Sequence, residues 1–165
     1  MRRLDDEFDA FVLSSSRGLF RLAHRLTGDW YAAEDLVQTT LWRVARNWDR
    51  ARDAPLPYAR RILVNLTVDR VRSRTRRPSE VGGDRFLDRA DPTPASQVEE
   101  REVLLAALRG LRPRQRAVLV LRYWEDLSVE QTAEALGCTT GTVKSTSSKG
   151  LANLRALLEN QGARP

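Results

Sequence analysis

Asn65 interrupts a run of arginines at a position from which a side-chain amide can hydrogen-bond a base edge, as asparagine does with adenine. Arg61, Asn65, Asp69, Arg72 and Arg76 fall near one line at roughly four-residue steps along a helix. From Tyr58 to Arg77 there are seven arginines against one acid, Asp69. Such a face can track phosphates, and an aromatic beside it can stack a displaced base, offsetting an unstacking cost of a few kcal/mol. Trp48 stands at the mouth of the adjoining loop and could serve so; it also completes an apolar stripe, and a core role weighs more. The plainer meaning of the arginine run is a solvated basic face.

A second constellation lies near the carboxyl end. Ser128-Val-Glu-Gln131 is a capping box, Gly137-Cys-Thr-Thr-Gly141 turns the chain, and a last helix is expected from about Thr142 to Leu158. Helix, glycine-bearing turn and helix at this spacing form a helix-turn-helix, whose second helix enters the major groove. Thr142, Lys144, Ser145, Ser148 and Lys149 are then the candidates for bases and phosphates, with Val143 and Leu151 facing inward against Ala133 and Leu136. A plain helical hairpin with a solvated outer face is the alternative.

Glu34, Asp35 and Gln38 are expected together on the solvent side of a helix. As a general acid and base the two carboxylates fail, because neighbours on a helix diverge by about 100° and no nucleophile or metal partner is near. A patch for a basic protein surface fits better. His24 is the single histidine and Cys138 the single cysteine. Two-histidine metal sites, histidine-based triads and intramolecular disulfides are excluded. His24 is expected to pack or cap, and Cys138 to be a small half-buried residue. No metal and no cofactor is expected.

The elements that must hold these residues read as helices throughout. Phe8, Phe11, Val12, Leu19, Ala23 and Leu26 recur at helical spacing up to Thr27-Gly28, and Asp29 caps the next helix. Its stripe is Ala33, Leu36, Val37, Thr40, Leu41, Val44, Ala45 and Trp48; Asp49 to Pro55 reads as loop, and Pro57 suits the first turn of a third helix packed through Ala59, Ile62, Leu63 and Leu66. The spacing predicts residues 4–77 as one helical domain, 78–97 as a flexible linker holding Pro78, Gly82, Gly83, Pro92 and Pro94, and 98–160 as a second. Ser96-Gln-Val-Glu99 reads as the cap that opens it, and Ala117, Val118, Leu121 and Trp124 as one inner face. Trp30 and Trp42 read as core or interface aromatics. The fold class is therefore all-α, two small helical domains on a tether. Each has only about 70 residues, marginal for one core, so a steadying partner is expected.

Of 165 residues 41% are hydrophobic and 30% charged, the net charge is +6, and no apolar run approaches the roughly 18 residues of a membrane span. Arg2, Arg3, Asp5, Asp6 and Glu7 give the start no signal-peptide character, so a soluble, cytoplasmic protein without membrane insertion is expected. The basic excess points to a polyanion.

Ala33-Glu-Asp-Leu-Val-Gln38, Ile62-Leu-Val-Asn65 with Asp69-Arg70, Leu121-Arg-Tyr-Trp-Glu-Asp-Leu-Ser128 and Gly141-Thr-Val-Lys-Ser145, in this order, resemble a bacterial sigma-70-type factor. With only a linker between the domains, the chain is similar to the extracytoplasmic-function (ECF) group. The resemblance implies a non-enzymatic protein with sigma region 2 and sigma region 4 that binds core RNA polymerase, recognises minus-ten and minus-thirty-five promoter elements and helps melt DNA. It implies that Glu34, Asp35, Leu36 and Gln38 meet the beta-prime clamp coiled coil, and that the second domain seats on the beta flap. It places Trp48, Arg61, Asn65, Asp69, Arg72 and Arg76 at the minus-ten element, in duplex and single-stranded form, and the helix from Thr142 at the minus-thirty-five element. An anti-sigma factor is a further partner the family commonly uses. Thr146 and Ser147 depart from the family's usual arginine and apolar residue, and Gly150 weakens its helix by about 1 kcal/mol relative to alanine. The competing readings are an ordinary helix-turn-helix regulator, which has no need of the Glu34 patch or the Asn65 face, and a nuclease, which needs clustered carboxylates or histidines.

Overall fold

Helix α1 (Arg2–Thr27) can run for 26 residues because Phe11, Leu19, Leu22, Ala23 and Leu26 return on one face and no proline interrupts them. It stops where Gly28 takes a φ of 68° and its N–H folds back to the His24 carbonyl at 2.7 Å. Asp29 then accepts a hydrogen bond from the Ala32 N–H at 2.9 Å and starts α2 (Trp30–Arg46), antiparallel to α1. The computed structural model describes residues 2–76 and 95–162. Among them are also α3 (Trp48–Ala51), α4 (Pro55–Arg76), α5 (Ala95–Gly110), α6 (Pro113–Tyr123), α7 (Val129–Leu136) and α8 (Thr140–Gly162), and no strand. No helix among the described residues is long and apolar enough to cross a membrane.

Helix α2 ends two residues before the expected stripe does. Asn47 donates from its side chain to the Arg43 carbonyl at 2.9 Å and leaves helical geometry, so Trp48 belongs to the single turn α3. Part of the expected loop from Asp49 to Pro55 is therefore helical. Ala45, expected inside, is exposed. Helix α4 begins at Pro55 and packs through Ala59, Leu63, Val64 and Thr67, all buried.

The second half is built around α6. Residues Arg116 to Leu121 are all buried, so this helix is covered on every side rather than along one face. Helix α8 covers one flank, and α1 and α4 of the first half cover another. Helix α5 begins at Ala95, so Ser96 lies inside it and not ahead of it. Residues 95–97 of the expected linker are thus helical, and 78–94 lie outside the described residues.

The two halves do not stand apart. One buried cluster runs from Leu26, Leu36 and Leu63 through Leu108, Leu111 and Leu121 to Leu136, with α1 against α5 and α6 and α4 against α6 and α7. Each half, marginal alone, is steadied by the other.

Candidate functional site

Ser128 opens α7 with both bonds of the expected box: its hydroxyl accepts the Gln131 N–H at 3.0 Å, and the Gln131 side chain accepts the Ser128 N–H at 2.8 Å. Gly137 closes α7 in the left-handed region, and the Cys138 N–H returns to the Ala133 carbonyl at 3.0 Å. Thr139 then caps α8, accepting the Thr142 N–H at 3.2 Å and sharing a hydroxyl hydrogen bond with Thr142 at 2.9 Å. The last helix therefore starts at Thr140, two residues before the expected place.

Val143 is fully buried and fixes α8 against α7. Lys144, Ser145, Ser148 and Lys149 are exposed on one stripe, while Thr142 is half-buried with its hydroxyl engaged. Leu151, expected inside, is 39% exposed; the inner positions are Ser147 and Gly150. The helical period explains this, since Val143, Ser147 and Gly150 follow one another at steps of four and three. A Cβ on Gly150 would stand 3.3 Å from Leu119 Cγ and 3.5 Å from Gln115 Cβ, so the glycine lets α8 approach α6 closely. Gly150→Val is expected to lower stability by about 1–2 kcal/mol through overpacking, read as a drop in thermal midpoint; an unchanged midpoint would show that the crossing tolerates the extra atoms.

On α4, Arg61, Asn65 and Asp69 are exposed in line, as the spacing predicts. Arg72 and Arg76 continue the same helix, with side chains outside the described residues. Trp48 does not join them. It is 8% exposed, edge-on to Phe8 at 5.2 Å and tilted against Phe11 at 5.7 Å, so its ring is a core element and presents no face for a base.

On α2, Glu34, Asp35 and Gln38 face solvent together. Leu36, placed with them by resemblance, is 4% exposed and packs into the core, where it holds the helix that displays the patch. Asp35 accepts a hydrogen bond from Arg70 of α4 at 2.5 Å. Tyr31 and Trp42, both well exposed, extend the same helix face beyond the acids; Trp42, expected as a core or interface aromatic, is thus not in the core, and the guanidinium of Arg46 lies 4.8 Å from its ring. His24 is half-buried beside Phe20, ring centroids 6.3 Å apart and nearly parallel. Cys138 is half-buried.

One buried arginine that ties the two halves together escaped the sequence. Arg116 is 5% exposed and donates to the carbonyls of Leu26 in the first half and Arg109 in the second, at 2.7 and 2.6 Å. Burial, with Arg109 nearby, pulls its guanidinium down to about 10, still charged at neutral pH. In the sequence it is one arginine among Arg112, Arg114 and Arg122, with nothing local to single it out.

Two family models match the chain: Sigma-70 region 2 over residues 11–77 and Sigma-70, region 4 over residues 101–154. The RNA polymerase sigma-E factor of Streptomyces avermitilis is 40% identical over 157 residues, covering 94% of this chain and 87% of the relative. The ECF RNA polymerase sigma factor SigL of Mycobacterium tuberculosis is 32% identical over 167 residues, covering 98% and 90%. Among solved structures, the sigma factor RpoE of Bartonella quintana, crystallised with the anti-sigma factor NepR, is similar in fold, with a TM-score of 0.73 at 24% identity, covering 92% of this chain and 96% of that one.

Proposed function

Because the chain belongs to the sigma-70 family of RNA polymerase sigma factors, in its ECF group, we propose that it directs core polymerase to promoters through two separate DNA faces and helps open the duplex. Its role in transcription initiation is that of a regulator, with catalysis left to the polymerase core. Helix α8 reads the upstream, minus-thirty-five element through Lys144, Ser145, Ser148 and Lys149. The exposed line of α4, Arg61, Asn65 and Asp69 continuing to Arg72 and Arg76, engages the minus-ten element, and Glu34, Asp35 and Gln38 dock on the beta-prime clamp coiled coil. The second half seats on the beta flap. An anti-sigma factor is a candidate partner, the kind of protein crystallised with the similar RpoE of Bartonella quintana.

The observation that carries this reading is the exposed Arg61-Asn65-Asp69 line on a region 2 helix of a chain that also carries a region 4 helix-turn-helix. Transcription with purified core polymerase and a promoter library tests it: the chain should select templates sharing two spaced elements, and transcription no different from core polymerase alone would overturn it. Asn65→Ala is expected to reduce transcription from duplex promoters about tenfold, the loss of one specific base contact, while leaving polymerase binding unchanged. Equal loss on premelted and duplex templates would remove Asn65 from opening.

A further inference from the structure

Glu125, just past the end of α6, is the point where the two halves meet electrostatically. Its carboxylate receives Nη1 of Arg25 from α1 at 3.5 Å and Nη2 of Arg60 from α4 at 3.4 Å. All three side chains are largely buried, at 17%, 24% and 15% exposure. Two guanidiniums share one carboxylate, so the cluster keeps an excess positive charge, and Arg21 and Arg101 add to the field on Arg25. A forked pair of guanidiniums around one oxyanion is the geometry that also binds a phosphate. Arg60 is one residue from Arg61 of the promoter line. Beside it a cleft of about 250 Å³ lies between Arg50, Tyr58 and Arg61 of the first half and Gln131 and Glu134 of α7, so one carboxylate of the second half, Glu134, lines the same cleft as the basic start of α4.

The rest of the contact has the character of a latch. Arg116 satisfies the Leu26 carbonyl, one of the last carbonyls of α1, which no later turn of that helix can reach. Interfaces between halves of one chain commonly open and close.

We propose that this arrangement is a closed, self-masking state in which Glu125 acts as an internal anion in a two-arginine site, Arg25 and Arg60, that takes a DNA backbone phosphate once the halves separate. The proposal rests on the DNA-binding role of α4 given above and adds Arg25 and Arg60 to it. Closed, the chain withholds part of its DNA face; open, the arginines that gripped Glu125 grip promoter.

Glu125→Gln in the full chain tests this without polymerase, using a short labelled duplex of arbitrary sequence and small-angle scattering. The variant is expected to be more extended and to bind the duplex about eightfold more tightly at about 0.1 M salt, with a logarithmic salt slope steeper by about 0.9, the value of one added phosphate. Arg25→Ala with Arg60→Ala in that background should cancel the gain. Glu125→Asp, which keeps the charge but shortens its reach, should give a smaller gain of the same sign and serves if the glutamine variant fails to fold. Unchanged affinity in a folded variant, or a gain that survives loss of both arginines, overturns the proposal. A gain in DNA affinity in a protein that never supports transcription with core polymerase would overturn the sigma role and leave the masking intact.

Discussion

Reversing the α2 patch, as Glu34→Lys with Asp35→Arg, is expected to weaken binding to core RNA polymerase about 100-fold, about 2.7 kcal/mol, with the helical fold kept. Like charges brought face to face across a docking surface cost several kcal/mol, because both lose water without gaining a partner. The fold tolerates the change because both side chains are exposed, while Leu36, the next residue, is unaltered in the core. The structure does lose the Asp35–Arg70 contact, but Asp35 is 62% exposed and a surface pair of this kind contributes at most about 1 kcal/mol. A titration of labelled chain with core polymerase, beside a thermal melt, separates the two effects. Unchanged affinity in a folded variant would take α2 out of the polymerase interface.

What could be read from the sequence was whatever local chemistry decides. Gly28 and Asp29 mark the first hairpin, and Ser128 with Gln131 marks the start of α7, because a cap is satisfied by residues within four positions of itself. The exposed line on α4 and the stripe on α8 follow from the helical period alone. Errors of two residues, at Asn47 and at Thr140, came where a side chain outside the apolar pattern sets the boundary.

What could not be read was the pairing of surfaces distant in the chain. The spacing suggested one inner face for α6, yet Ala117 to Leu121 is an unbroken apolar run, the pattern of a helix covered all round. That run was the available signal that the second half packs against something besides itself. Trp48 and Leu36 were drawn toward surface roles by resemblance, and burial returns both to the core that positions the sites. Gly150 looked like a weakness in α8 until its distance to Leu119 showed a close crossing. Arg116 and Glu125 carried no signal, since a buried ion or cation is recognisable only from the groups that surround it.

Removing both lysines of α8, as Lys144→Ala with Lys149→Ala, is expected to weaken binding to a duplex bearing the upstream element about 30-fold at about 0.15 M salt and to flatten the logarithmic salt slope by about 1.8. These are the two lysines of the chain, both exposed, on the stripe that Val143 and Ser147 turn outward by facing the other way. Alanine favours helix at least as well as lysine, and neither side chain contributes to the packing against α6 or α7, so the effect is electrostatic and not a loss of fold. A change of slope counts phosphates directly, whereas a change of sequence preference counts base contacts; measuring affinity across salt for the intact element and for a scrambled one separates them. If Lys144 reads a base as well as a phosphate and Lys149 only a phosphate, single alanine variants will both flatten the slope, but only Lys144→Ala will narrow the gap between the two duplexes. A slope unchanged in the double variant would mean that the exposed face of α8 does not lie against DNA.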